Sequence, residues 1–318
     1  MSYKQTILIT GGTVSLGYHA ALNLARQYPD YQVILSSRTD KEHAADKINQ
    51  ALGQKNVSFL PLDLSSTSNI RNYAKNYSSL GYPPIAILLL NAGLQFPDEM
   101  RKNAEGYELT FAINHLGHAL LFHLLTPHLS PKCRVIVTSS GTHDPAQKTG
   151  VPDAKYTTAS ELAHPTPETA QNEGRQRYST SKLCNVLFTY AISRRLKAQG
   201  SQITINAFDP GLMPGTGLAR EYSPVLKFLW FRVLPRILPV MRFLLKTENI
   251  HTAVESGASL AWVASGRETE GKTGCFFEGR RERESSEASY EVGKQDDLWE
   301  WTVRTTCTDG EEYLNLKV

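Results

Sequence analysis

The sequence predicts a doubly wound α/β fold: a parallel sheet of about seven strands, with helices on both faces, in one domain spanning 1–318. Three observations predict it. Short, nearly continuous apolar runs alternate with longer helical patterns, as expected when strands are buried on both faces of a parallel sheet. The first run passes through a glycine-rich turn directly into a helix. No internal repeat and no long linker divides the chain.

The strand-like runs are Gln5 to Thr10, Gln32 to Ser36, Val57 to Leu62, Ile85 to Leu90, Arg134 to Thr138, Ile203 to Phe208 and Thr273 to Phe277. Helical patterns fill the gaps: Leu16 to Gln27, Lys41 to Leu52, Ser68 to Tyr77, Ala104 to Leu129, Gln176 to Ala198 and Ile250 to Ala264. Past Phe277 the sequence reads as a polar tail. Two segments interrupt the alternation. One is a polar insertion, 141–176, and the other is an apolar and basic stretch, 214–246. Each follows the C-terminal end of a strand, the edge where open α/β sheets bind ligands.

Composition narrows the classes. The chain has 318 residues, 41% hydrophobic and 20% charged, which is ordinary for a soluble globular protein. A net charge of +3 argues against nucleic acid as a partner. Cys133, Cys184, Cys275 and Cys307 have neither metal-ligand nor disulfide spacing, and read as reduced thiols in a cytoplasmic protein. The N-terminal stretch, Met1 to Thr10, lacks the features of a cleavable signal. No run of about 18 apolar residues is present, so no membrane span is expected.

The turn after the first strand reads Thr10-Gly11-Gly12-Thr13-Val14-Ser15-Leu16-Gly17. Glycines let a backbone turn tightly and admit a pyrophosphate, which the following helix N-terminus attracts with free N–H groups. Gly11, Thr13, Ser15, Leu16 and Gly17 are therefore candidate dinucleotide contacts. Ser15 stands where glycine is expected, though its N–H can still donate. The second strand leads into Ser37-Arg38, where NAD sites usually carry an acid for the ribose 2′-hydroxyl. That acid is missing. Ser37 and Arg38 suit a 2′-phosphate instead, so NADP(H) is expected over NAD(H).

A tyrosine four residues before a lysine occurs three times: Tyr178/Lys182, Tyr290/Lys294 and Tyr313/Lys317. The spacing alone selects none of them. Context selects Tyr178/Lys182, which opens a long helix after a strand ending Thr138-Ser139-Ser140. A free phenol titrates near pH 10. An ammonium one helical turn away favours the phenolate and makes the group a usable proton donor near neutrality. Ser140 could hydrogen-bond a substrate carbonyl oxygen as charge develops on it. Ser139 reads as a strand-end hydrogen-bonding residue.

At this point the chain resembles the short-chain dehydrogenase/reductase family. The matching residues are Thr10 to Gly17, Leu62-Asp63-Leu64, Leu90-Asn91-Ala92-Gly93, Asn114, Ser140, Tyr178, Lys182 and Asp209-Pro210-Gly211, in the family's order over nearly the whole chain. Phe111 to His118 and Tyr178 to Thr189 read like the retinol dehydrogenase and protochlorophyllide reductase branch. The resemblance implies a Rossmann-type sheet with a helical lid over the substrate. It implies that Asp63 and Leu64 line the adenine, and that Asn91, Ala92 and Gly93 pass the adenosine ribose. Pro210, Gly211, Leu212 and Thr216 would flank the nicotinamide amide. It implies a catalytic set of Asn114, Ser140, Tyr178 and Lys182. Asn114 would anchor a water leading to Lys182, and Lys182 would also bond the nicotinamide ribose. Hydride transfer would accompany proton transfer by Tyr178.

Other chemistry-bearing residues read as structural. Cys184 packs in its helix, and His115, His118 and His123 lack a metal-binding pattern, so no metal is expected. Between Ser140 and Tyr178 lie 37 residues, enough to border a substrate pocket. The stretch 224–246 mixes Phe228, Trp230, Phe231 and Phe243 with Lys227, Arg232, Arg236, Arg242 and Lys246. It suits a substrate lid, a subunit contact in a homo-oligomer or a peripheral membrane contact. Each of these goes with a bulky lipophilic ketone, aldehyde or alcohol. Two alternatives stay open: a catalytically silent NADP-binding regulator, and a reductase of an activated C=C bond. A sugar-nucleotide epimerase fits poorly, because Val14 stands where that branch has glycine.

Overall fold

The computed structural model describes residues 3–219 and 223–307. Its centre is one eight-stranded sheet in the order β3-β2-β1-β4-β5-β6-β7-β8. The strands are β1 (Thr6–Thr10), β2 (Gln32–Ser37), β3 (Val57–Pro61), β4 (Ile85–Leu90), β5 (Leu129–Thr138), β6 (Thr204–Asp209), β7 (Phe276–Glu278) and β8 (Arg281–Arg283). The first seven pair in parallel, and β8 runs antiparallel to β7. The expected sheet of about seven parallel strands is present, with one short strand added.

Side-chain alternation explains why the strands read as unbroken apolar runs. In β1, Leu8 faces one core while Ile7 and Ile9 face the other. The second core is covered by α1 (Ser15–Gln27), α2 (Ala44–Leu52) and, later in the chain, α10 (Ala253–Ser265). The first is covered by α3 (Thr67–Ser79), the helix over 109–125 and α7 (Gly174–Ala198). The 109–125 helix comprises α4 (Leu109–Phe111), a π-helical turn (Ala112–Leu116) and α5 (Gly117–Leu125). The stretch Leu109–His128 is long and apolar enough to cross a membrane, but it lies largely buried against the sheet as a core helix.

Two boundaries differ from expectation for local reasons. The helix expected from Ala104 begins at Leu109, because the Asn103 side chain accepts from the Glu105 and Tyr107 N–H groups and holds a turn there. It also ends at Leu125, and Leu129 already belongs to β5. The larger correction is at the C-terminus. The supposed polar tail holds α11 (Glu287–Tyr290) and α12 (Val292–Thr306), and α12 packs Leu298, Trp299 and Val303 into the core beside α7. Its buried stripe also contains Gln295, Thr302 and Thr306, so its composition hid it. The Tyr313/Lys317 pair lies outside the described residues.

The insertion 141–176 is anchored rather than loose. It carries α6 (Ala159–Ala163), and the Tyr156 hydroxyl and the Ala159 N–H both donate to Asp297 of α12, at 2.7 and 2.8 Å. The expected lid, 214–246, is helical where described. It comprises α8 (Pro224–Phe228), a π-helical turn (Leu229–Val233), a 3₁₀ turn (Leu234–Arg236) and α9 (Leu238–Leu245); residues 220–222 lie outside the described residues.

Candidate active site

The chain departs from β1 toward β2 on one side and returns through β4 on the other. This reversal opens a crevice at the C-terminal strand ends. A cleft of about 370 Å³ lies there. It is lined by Gly11, Thr13, Ser15, Leu16, Gly17, Ser37, Arg38, Asp63, Leu64, Asn91, Ala92, Gly93, Tyr178, Lys182, Pro210 and Thr216. Sixteen of the predicted site residues thus meet around one space.

The glycine-rich turn forms the floor. Gly11 sits at φ +66° with its Cα against Asn91 and Ala92. A Cβ on Gly17 would stand 2.2 Å from the Gly11 carbonyl oxygen, so α1 rests directly on the turn. Ser15 adopts φ +51°, the left-handed conformation that glycine would take without strain. Its hydroxyl is shielded from solvent and has no partner. No side chain caps α1 and no acid lies in its first turn, which leaves the first N–H groups directed at the cleft. A shielded, unpartnered hydroxyl and uncapped amides fit a pyrophosphate.

At the second strand end, Thr13 Oγ1 donates to Ser37 Oγ at 3.1 Å, and Arg38 stands exposed at the rim. Asp63 accepts from the N–H and hydroxyl of Ser65 at 3.0 and 2.8 Å, which fixes its turn. Asn91 braces three strand ends. Its N–H and amide reach the Thr10 hydroxyl and carbonyl at 2.8 and 2.9 Å, and its amide oxygen accepts from Thr138 at 3.2 Å.

Tyr178 and Lys182 occupy the first half of α7, 7% and 2% exposed, with the lysine nitrogen 5.6 Å from the phenol ring centroid. Lys182 Nζ donates to the Thr138 carbonyl at 3.0 Å. Burial lowers its pKa to about 8, and the charge of buried Asp209 works against that shift. A Cβ on Gly93 would lie 3.2 Å from Lys182 Nζ, so the small residue keeps this approach clear. Ser139 donates to the Lys182 carbonyl at 2.8 Å, a strand-end role as expected.

Asn114 and Ser140 are placed differently from the cleft residues. Asn114 is fully buried in the π turn. Its amide donates to the Leu94 carbonyl and Ser181 Oγ, both at 2.9 Å, and accepts from the Leu94 N–H at 2.9 Å. The side chain is therefore committed to joining helix 109–125 to α7 between Tyr178 and Lys182. Ser140 is half-buried, next to cleft-lining Ser139, and its hydroxyl accepts from the Thr142 N–H at 3.3 Å. Gly211 and Leu212 are not among the residues that line the cleft, although Pro210 and Met213 on either side are. The Leu212 N–H donates to the Asn249 carbonyl at 2.9 Å, and a Cβ on Gly211 would meet Asn249.

One residue read as an ordinary helix histidine belongs to this framework. Thr10 Oγ1 accepts from the Asn91 and Ala92 N–H groups, so its remaining contribution is its proton. The nearer acceptor is His118 Nε2 at 2.9 Å, against Leu89 O at 3.2 Å. His118 Nδ1 then donates to the Asn114 carbonyl at 3.1 Å. Burial lowers the His118 pKa to about 4, which keeps it neutral. The i,i+4 spacing from Asn114 was the available signal in the sequence. His115 instead meets Thr302 at 3.1 Å and His123 lies against Trp299, so the three do not converge.

The fold and cleft define a dinucleotide-binding α/β enzyme. Residues 5–159 match the family described as short chain dehydrogenase. Over 92% of its length the chain is 30% identical to polyprenol dehydrogenase from Danio rerio, covering 83% of that protein. It is 29% identical over 95% of its length to the chloroplastic protochlorophyllide reductase of Chlamydomonas reinhardtii, covering 77% of it. A short chain dehydrogenase from Shigella flexneri solved with NADP superposes with a TM-score of 0.60 at 20% identity, over 88% of this chain and 98% of that one. The chain belongs to the short-chain dehydrogenase/reductase family, in its retinol dehydrogenase and protochlorophyllide reductase-like branch. It is an oxidoreductase that uses a nicotinamide cofactor.

Proposed function

We propose that this protein is an NADP(H)-dependent oxidoreductase that interconverts a carbonyl and an alcohol on a bulky lipophilic substrate. The observation that carries the reading is the Tyr178–Lys182 pair at the wall of the cleft, with Lys182 buried and held on Thr138. The bound nicotinamide supplies the hydride in reduction and takes it in oxidation. Tyr178 gives or takes the proton at the substrate oxygen, Lys182 favours its phenolate, and Ser140 donates a hydrogen bond to that oxygen. Asn114 and His118 hold these elements in register. Cys184 is fully buried and burial pushes its thiol up, which supports a packing role. An NADPH-consumption screen over lipophilic ketones and aldehydes tests the reading, and turnover of small polar carbonyls alone would overturn it.

Arg38 carries the cofactor preference, since the end of β2 reads Ser36-Ser37-Arg38 and lacks the acid that NAD sites use to bond the ribose 2′-hydroxyl. Arg38→Ala should lower kcat/KM for NADPH by about 10–100-fold, the value of a charge-assisted phosphate contact, and leave NADH within about threefold. Parallel losses with both cofactors would refute the assignment.

Titration of Lys182 should show in the rate. Its pKa of about 8 means the ammonium is retained below that value and lost above it. Reduction should slow as pH rises through 8. Asp209→Asn should move that limb to lower pH, because the Asp209 charge is what raises the lysine pKa. A rate that stays flat from pH 7 to about 9.5 argues against the role.

The substrate class draws on the lid as well as on the relatives' names. Trp230 Nε1 donates to the Thr216 carbonyl at 2.9 Å, and Pro235 packs on Gly215, so the lid is tied to the loop that lines the cleft. Its outer face is apolar: Val225, Phe228, Phe243 and Leu244 are 70%, 63%, 81% and 69% exposed. No acidic residue occurs in 223–247, against five basic ones. This combination suits an anionic lipid surface, so the reading is a cytoplasmic enzyme that meets a membrane peripherally and draws its substrate from it. The chain should co-sediment with phosphatidylserine vesicles at low salt. Phe243→Glu with Leu244→Glu should weaken that binding by about tenfold or more. Failure of the parent chain to bind removes the membrane contact and leaves the reaction untouched.

A further inference from the structure

His143 is a buried imidazole that the reaction does not use. Its ring has no solvent exposure and lies 4.9 Å from the Phe276 ring. Two polar contacts hold it. Nδ1 is 2.7 Å from the Ser140 carbonyl oxygen, and Nε2 is 3.1 Å from the Ser286 N–H. A backbone N–H only donates, so Nε2 must carry a lone pair. A carbonyl only accepts, so Nδ1 must carry the proton. One neutral tautomer meets both demands.

We propose that His143 is a positioning residue for Ser140, and that through it the C-terminal segment around Ser286 sets the geometry of that serine. The inference rests on the reading of Ser140 as the donor to the substrate oxygen. Ser140 lies just past the sheet ladder, where Ser139 makes the last backbone bond, to Phe208 at 2.7 Å. Beyond that point no strand partner orients the chain. The Ser140 carbonyl instead takes two donors from one residue, the His143 N–H at 3.1 Å and the ring Nδ1–H.

The far end of the imidazole is equally fixed. Ser285, next to Ser286, bonds the Tyr190 hydroxyl at 2.6 Å. Gln295 donates to the Ser289 carbonyl at 2.8 Å and accepts from Arg194 at 2.9 Å. Tyr190 and Arg194 lie on α7, the helix that carries Tyr178 and Lys182. One C-terminal segment is therefore bolted to the helix of the phenol and, through His143, to the serine. Two groups that must converge on a single substrate oxygen gain from a shared reference, since a displacement of about 1 Å can cost on the order of 10²-fold in rate.

A double-mutant cycle tests this, using the lipophilic carbonyl that the NADPH screen reduces fastest. Ser140→Ala alone should lower kcat by about 10²-fold or more. His143→Phe, similar in volume but unable to bond, should lower kcat by about 10–100-fold with NADPH affinity within twofold. Added to Ser140→Ala, it should cost less than about twofold more, because both act through one group. His143→Asn, whose amide can still donate to the Ser140 carbonyl, should stay within about fivefold of the parent. Nitrogen-15 spectra of the labelled parent should show His143 protonated on Nδ1. Multiplicative losses in the double mutant, or an Nε2-protonated ring, overturn the proposal while leaving the serine's role intact. An unchanged kcat in Ser140→Ala removes the serine's role and the inference with it. If His143→Phe does not fold, His143→Leu, smaller and equally unable to bond, closes the same cycle.

Discussion

Tyr178→Phe should lower kcat by about 10²–10⁴-fold, the usual contribution of a positioned acid–base group. The change deletes one oxygen and keeps the ring, which is 93% shielded within α7, so packing is preserved. NADPH titration and the thermal transition should therefore match the parent. This combination separates chemistry from folding. Lost turnover with intact cofactor binding assigns the proton to the phenol. Unchanged turnover would remove Tyr178 from the mechanism, and with it the role given to Lys182. The pairs Tyr290/Lys294 and Tyr313/Lys317 offer a built-in control for the first part of the argument. Lys294 pairs with Glu291 at 2.7 Å and lines no part of the cleft, so Lys294→Met should leave kcat within about twofold.

Gly17→Ala should both destabilise the chain, by about 1–3 kcal/mol, and abolish tight NADPH binding. A methyl group there would lie 2.2 Å from the Gly11 carbonyl oxygen and 2.8 Å from Asn91 Nδ2. Neither neighbour can yield cheaply. Gly11 is held in its left-handed turn, and Asn91 braces the ends of β1, β4 and β5. Relief requires α1 to lift from the turn, which moves the amides that face the cleft. A denaturation midpoint and an NADPH titration measure the two effects, and a variant equal to the parent in both would refute the close packing. Ser15 makes the contrast within the same turn. Its φ of +51° is strained, but its side chain is accommodated. Glycine is needed at 17 for space, whereas at 15 it would serve only conformation.

The sequence made the sheet and the cleft legible because burial on both faces leaves unbroken apolar runs, and because the cofactor turn is continuous in sequence. Tyr178 was legible through context, by its place after the β5 end and the glycine-rich turn. What escaped was held by distant partners. His118 meets Thr10 across 108 positions, and His143 meets Ser286 across 143. Nothing near His143 marks it, and His118 shows only its i,i+4 spacing from Asn114. The helix Val292–Thr306 escaped because half of its buried stripe is Gln and Thr. Gly211 and Leu212 were assigned to the nicotinamide amide by resemblance; they do not line the cleft, and Leu212 pairs with Asn249, Ile250 and His251. The stretch 214–246 was legible as an apolar and basic composition; the structure adds that Val225, Phe228, Phe243 and Leu244 in it face outward.

The antiparallel strand β8 has a consequence for how copies of this chain can meet. A parallel sheet ending at β7 would present a row of unpaired backbone groups on which a second chain could build. Here the polypeptide doubles back and occupies that row itself with Arg281, Glu282 and Arg283, all exposed. The new border is three residues long and wholly charged, two traits that discourage further strand addition. Growth of β-structure across that border is therefore blunted, so a second copy gains little by adding a strand there.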